Sequence, residues 1–324
     1  MNDTVRPAGG TRDSAPSLTR YAWLSIAAAV ATIFLKSGAY LVTGSVGLLS
    51  DAAESLVNLA AAIVALIALK VAARPADADH HFGHGKAEYF SAAFEGLMIF
   101  GAAAAILVSS VRRFLHPIPL ESLGLGLAIS LVATVVNGAV GVLLLRAGRR
   151  YRSTTLTADG KHLMTDVWTS AGVIVGVLLV GVTGWERLDP VVAAVVGLNI
   201  LVTGSRMMAA SMRSLLDAAL PAADIDQVVA VLDRFRGPEV DFHGLQTRES
   251  GRYRFVSLHV LVPGLWTVHR GHDLVEEVEA AIREALPDTT VQTHLEPIED
   301  ARAYADVAFD SHPERPAHPV DRGR

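Results

Sequence analysis

Between residues 21 and 213 the chain passes through six apolar stretches, at about 21–43, 47–72, 90–111, 122–146, 158–183 and 189–213. A bilayer core of about 30 Å takes roughly 20 apolar residues per helix, so each stretch is long enough to cross it. The second and fifth begin with polar residues, and hydropathy alone defines them less sharply. Composition agrees: 51% of the 324 residues are hydrophobic, only 19% are charged, and mean hydropathy is +0.37. That balance describes a membrane protein with a polar remainder.

Loop charge sets the expected orientation. With the N-terminus inside, the cytoplasmic segments carry Arg6, Arg12, Arg20, Arg74, Lys86, Arg146, Arg149, Arg150, Arg152 and Arg213, whereas the outer loops carry Arg112, Arg113 and Arg187. Both termini are therefore expected in the cytoplasm. Residues 1–19 are polar, rich in Gly, Pro and Ser, and expected to be disordered. The apolar run that follows is too long for a signal peptide and lacks a small-residue cleavage site.

From Pro221 the pattern changes to that of a small soluble domain. DIDQVVAVLDRF reads as an amphipathic helix with Ile225, Val228, Val229 and Leu232 on one face. DFHGLQTRES and YRFVSLHVLV alternate about Ser250-Gly251, as a β-hairpin does. HDLVEEVEAAIREAL is a second helix, burying Val275, Val278 and Ile282, and TVQTHLEP a third strand. The expected architecture is thus α-helical and membrane-spanning over 20–218, followed by a compact αββαβ domain over 219–298 and a loose tail over 299–324.

Polar groups inside the spans need a reason, because a charge at mid-bilayer costs roughly 2.5–3.5 kcal/mol on insertion scales. Span two offers Asp51, Glu54 and Asn58; span five offers Asp159, His162 and Asp166, with the same spacing of three and then four residues. Side chains at such spacing share one helix face. Facing each other, Glu54, Asn58, His162 and Asp166 make a four-ligand nitrogen and oxygen shell suited to a tetrahedral divalent ion. Any one of these residues alone would read as polar glue between helices; two matched sets containing His-x-x-x-Asp favour an ion site. Lys36 in span one either pairs with Asp51 or Asp159 or snorkels to the interface.

The chain has no cysteine, so disulfides and thiolate metal sites are excluded and a Cu(I) handler is disfavoured. A net charge of −5 without a basic, aromatic-laced cluster gives no sign of nucleic-acid binding. No nucleophile–base pair or nucleotide loop suggests an enzyme or an organic cofactor.

From Tyr21 to Glu296 the sequence resembles the cation diffusion facilitator family of divalent-metal/proton antiporters. The resemblance is carried by GSVGLLSDAAESLVNL, PADADHHFGHGKAE, ADGKHLMTD and SLLDAALP, and is strongest to the bacterial zinc and ferrous-iron efflux pumps. It implies a homodimer in the bacterial inner membrane, with six spans and a cytoplasmic metal-binding domain per subunit. The transport site falls on Glu54, Asn58, His162 and Asp166. The second pair fits the zinc-type pattern. The first departs from it, since the family has His or Asp at the place of Glu54 and Asp at the place of Asn58. Zn²⁺ leads as substrate, with Fe²⁺ and Mn²⁺ left open by the oxygen-rich ligation.

The resemblance also implies a loop site at Asp77, His80 and His84, with Asp79 and His81 nearby. It implies an inter-domain charge pair of Lys86 with Asp217. In the soluble domain the implied ligands are His243, His259, His272 and His294, with Glu296 where the family has Asp. Independently, His243 and His259 lie eight residues either side of Gly251, so the hairpin sets them opposite or diagonal. The expected activity is export of a divalent cation in exchange for protons, with His162 as the coupling residue because metal must displace its proton. The alternative is a membrane-anchored metal sensor without transport activity.

Overall fold

The computed structural model describes residues 18–43, 46–116, 124–185 and 187–304; within the helices some side chains, those of Asp51 and Glu54 among them, fall outside the described set. The segment expected to be disordered at the N-terminus lies almost wholly outside it too.

The described residues form two compact units, one from those up to 83 together with 87–209 and the other from 84–86 together with 210–304. The first holds helices α1 (Thr19–Thr43), α2 (Val46–Ala72), α3 (Ala87–Leu115), α4 (Gly124–Tyr151), α5 (Thr154–Thr183) and most of α6 (Leu188–Leu215). At 1.5 Å per residue, helices of 25 to 30 residues exceed the thickness of a bilayer core. Among the described residues Thr19–Gly38, Ala87–Leu115, Leu131–Tyr151 and Pro190–Leu215 are long and apolar enough to cross a membrane, and α2 adds the shorter run Asn58–Ala72. Phe34, Leu41 and Val182 point outward at 75%, 82% and 86% exposure, an arrangement lipid tolerates and water does not.

Helix α5 packs against α4, α3 and α2. Its approach to α4 depends on Gly160: a Cβ there would sit 2.9 Å from Leu145 Cγ and 3.0 Å from the Leu145 backbone nitrogen. Small residues let backbones meet in this way where lipid removes the hydrophobic drive between helices. The start of α5 is fixed by side chains. Ser153 accepts from the Leu156 N–H at 3.3 Å as an N-cap, and donates its own hydroxyl to Glu88 of α3. Glu88 also accepts from the Thr155 N–H at 3.2 Å, so it satisfies an amide that has no intrahelical partner.

The second unit contains α7 (Ala222–Phe235), β1 (Asp241–Ser250), β2 (Tyr253–Val262), α8 (Val268–Ala285) and β3 (Thr289–Pro297). The order is αββαβ. Strand β1 pairs antiparallel with β2, and β2 pairs parallel with β3 across the α8 crossover. Val256, Leu258 and Val260 of β2 meet Val228, Val231 and Leu232 of α7 and Val278 and Ile282 of α8 in one core. Each such burial contributes roughly 1.5–3 kcal/mol. Val231 takes a fully buried place, whereas Val229 and Val275 are only partly covered. Residues Ala301–Tyr304, at the head of the segment expected to be a loose tail, form a 3-10 turn with Ala303 buried.

Candidate metal centres

In the helical unit, His162 and Asp166 project from one face of α5 toward Asn58 of α2. The His162 Nε2 atom lies 2.8 Å from Asn58 Oδ1, and Asn58 Nδ2 donates to Asp166 Oδ2 at 2.5 Å. His162 and Asn58 are 5% and 7% exposed, so the cluster is buried. Of the four expected transport ligands the structure brings these three together; Glu54 lies on the same helix as Asn58, four residues earlier, and its side chain falls outside the described residues.

Two buried polar groups that the sequence reading did not single out lie on the neighbouring helices, and the first of them bonds to the cluster. Asn137 of α4, 6% exposed, donates to the same Asp166 oxygen at 3.3 Å. Glu95 of α3 is fully buried and accepts from Ser91 at 3.3 Å. An isolated Asn or Glu in an apolar span has no periodic partner to mark it. Asp159 is 1% exposed and accepts from Ser25 of α1 at 3.1 Å. Lys36 is half-buried on α1; of the two partners expected for it, Asp51 has its side chain outside the described residues.

In the loop after α2, Asp77 Oδ1 accepts from the Asp79 N–H at 3.0 Å and the His80 N–H at 2.8 Å, and lies 3.3 Å from His80 Nδ1. This is a carboxylate building its own turn. Asp79 and His81 are exposed, and His84 belongs with the second unit. There Lys86 Nζ lies 2.9 Å from Asp217 and 3.3 Å from the Leu215 carbonyl, with Arg248 a second cation 3.5 Å from Asp217.

The second cluster is written across the sheet. His243 of β1 stands directly opposite His259 of β2, which stands opposite His294 of β3. Neighbouring rings in this row are 5.0 Å apart. Glu296, two residues along β3, shares the face of His294 because side chains alternate with a period of two. Its Oε2 lies 3.0 Å from His243 Nε2 and 3.1 Å from His259 Nδ1; its Oε1 lies 3.7 Å from His294 Nδ1. Leu258 and Val260 flank His259 and point the other way, into the core, so the row occupies the face the helices leave open.

A bulge between His243 and Gln246 aims His243 at this point. It needs Gly244, whose φ of +61° is left-handed and costs a residue with a Cβ. Tyr304 closes one side, its ring 5.5 Å from that of His243. Burial and the nearby carboxylates Glu296 and Glu299 push its phenol up from the usual value, so it stays neutral. Beside it the Arg302 guanidinium holds the Asp300 carboxyl down at about 2.

The donor atoms of His243, His259 and Glu296 all lie within 4.8 Å of one another, close enough for a single ion to draw them together. Two imidazoles and a carboxylate suit zinc or a similar borderline cation. His272 is not in this group: it is exposed near the start of α8, and α8 packs on the opposite face of the sheet. The resemblance implies His272 as a further ligand of this domain; within one chain it stands apart from the row of His243, His259 and His294.

The cation efflux transmembrane domain model matches residues 22–216, and that of the cation efflux protein cytoplasmic domain matches 220–298. The chain belongs to the cation diffusion facilitator family. Its relatives include the uncharacterized transporter sll1263 of Synechocystis, 52% identical over 94% of this chain and 97% of that protein. They also include the cation-efflux pump FieF of Klebsiella pneumoniae, 31% identical over 86% of this chain and 93% of the pump. Among solved structures, the metal-bound C-terminal domain of the CzcD transporter from Thermotoga maritima is 25% identical; the match covers 25% of this chain and 99% of that domain, with a TM-score of 0.23. This cation diffusion facilitator is therefore an integral membrane protein of a metal-exporting family, a transporter and not an enzyme.

Proposed function

We propose that this chain exports a divalent cation from the cytoplasm in exchange for protons, with Zn²⁺ the leading substrate and Fe²⁺ and Mn²⁺ the alternatives. The observation that carries the reading is the buried contact of His162 with Asn58 and of Asn58 with Asp166, which joins α5 to α2. Buried polar groups in a span face an interior cavity or a partner, and this set offers one imidazole, one carboxylate and one amide to a common point. Glu54 supplies a second carboxylate from α2 in this reading. A proton on His162 must leave before the ring can ligate a metal, so loading expels a proton and release admits one.

The protein works as a homodimer in the bacterial inner membrane with both termini in the cytoplasm. Metal at His243, His259 and Glu296, with His294 beside them and His272 available to a neighbouring subunit, biases the dimer toward its working form. Asp77, His80 and His84 form a loop site, and the Lys86–Asp217 pair fastens the loop to the soluble domain.

The test is the purified protein in sealed vesicles with Zn²⁺, Fe²⁺ or Mn²⁺ on one side and a pH probe inside. Metal uptake with opposite proton movement is expected. Metal bound but not moved would instead make the chain a membrane-anchored sensor, and metal flux without proton movement would remove the exchange.

A further inference from the structure

Asp166 is held from two helices at once. Its Oδ2 accepts from Asn58 of α2 at 2.5 Å and from Asn137 of α4 at 3.3 Å. An ionised carboxylate only accepts, so both amides turn their N–H groups toward it. Among the described contacts both amides donate to Oδ2, which leaves Oδ1 as the oxygen turned to an ion. The Asn137 side chain is 6% exposed, within the membrane-spanning part of α4, where water does not compete for its amide. Single-oxygen ligation suits the four-coordinate shell of zinc. Larger or harder cations take more oxygens and use carboxylates through both atoms.

We infer that Asn137 is a positioning residue of the transport site, which confines Asp166 to one ligating oxygen and thereby favours Zn²⁺ over Mn²⁺. The inference rests on the transport-site reading given above. Asn137 touches the ligand and not the ion, and supporting partners of metal-bound carboxylates alter metal affinity by roughly 10–100-fold when lost. Removing the amide frees Oδ2, so the carboxylate can close on an ion through both oxygens. Zinc then loses its fixed geometry and manganese gains a ligand.

The experiment is metal binding to the full-length purified protein, with Zn²⁺ and Mn²⁺ titrated separately by calorimetry. Asp166→Ala identifies which binding sites belong to the membrane cluster. Asn137→Leu, which keeps about the same volume without a donor, should weaken Zn²⁺ at those sites by about tenfold and leave Mn²⁺ equal or tighter. Asn137→Ser, too short to reach Asp166, should give the same shift if the Leu variant does not fold. Asn137→Gln, which retains the amide, should recover most of the zinc preference. An unchanged Zn²⁺/Mn²⁺ ratio, or an equal loss for both metals, would overturn the inference, because a purely structural role weakens both alike. Vesicle transport separates the two readings: a wild-type protein that moves no metal removes the transport function, while the binding ratio still judges Asn137.

Discussion

His162 and Asn58 meet at 2.8 Å, ring nitrogen to amide oxygen, across two helices whose side chains are buried at that point. The contact joins a titratable side chain to a neutral one, and the charge of the cluster therefore rests on carboxylates such as Asp166.

Loss of either charged or nitrogen ligand should abolish transport. His162→Ala and Asp166→Ala are each expected to lower metal flux in vesicles by more than about 100-fold, beyond the 10–100-fold range of a supporting contact. Size-exclusion chromatography should still show folded dimers. Wild-type flux in both variants would remove the site.

Asn58 should tune the site and not merely complete it. Asn58→Asp replaces the donor that meets Asp166 with a second carboxylate, placing like charges at hydrogen-bond distance. Divalent binding should tighten, and release, hence maximal flux, should slow. Stopped-flow measurement of uptake against metal concentration reads both; unchanged affinity and selectivity would leave Asn58 a packing residue.

The cytoplasmic histidines should couple metal to shape. Zinc added to a fragment spanning 220–299 should compact or dimerise it, as seen by small-angle scattering. An ion that prefers the closed arrangement stabilises it by RT ln(1 + [L]/Kd), about 2.7 kcal/mol at a hundredfold excess over Kd. His243→Ala with His259→Ala should abolish the response, while the full-length protein keeps flux at reduced apparent affinity. A radius indifferent to saturating zinc would refute this coupling.

Glu88 should behave as a structural clamp. Glu88→Ala strands the Ser153 hydroxyl and the Thr155 N–H at the buried start of α5. Each unpaired buried group costs roughly 1–3 kcal/mol, so the melting temperature in detergent should fall clearly. Glu88→Gln, which keeps an acceptor oxygen, should fall less. Equal melting of wild type and Glu88→Ala would show that water reaches this cap.

Much of this architecture is legible in the sequence because two periods write it. Long apolar runs mark α1, α3, α4 and α6, and alternation about Gly251 marks β1 and β2. The paired spacing in α2 and α5 points to Asn58, His162 and Asp166 because helical neighbours three and four apart share a face. Helix ends are less legible. α3 begins at Ala87 and α5 at Thr154, each several residues before its apolar run, because the Glu88–Ser153 clamp holds polar first turns that hydropathy does not register. Asn137 is hidden for a related reason: its partner Asp166 is 29 residues away, on another helix. The place of His272 is not legible for another reason: spacing in the chain does not reveal which face of the sheet α8 covers.

The parallel pairing of β2 with β3 has a kinetic consequence. His243 and Glu296 are 53 residues apart in the chain, and they meet only after α8 has carried β3 back alongside β2. Closing a loop of that length is entropically unfavourable until the sheet contacts form, and non-local pairings of this kind are slow. The hairpin alone brings two histidines together without a carboxylate. An ion therefore meets its full set of donors only once the strand order is complete, so metal should leave the folding rate of this domain nearly unchanged and act instead by slowing its unfolding.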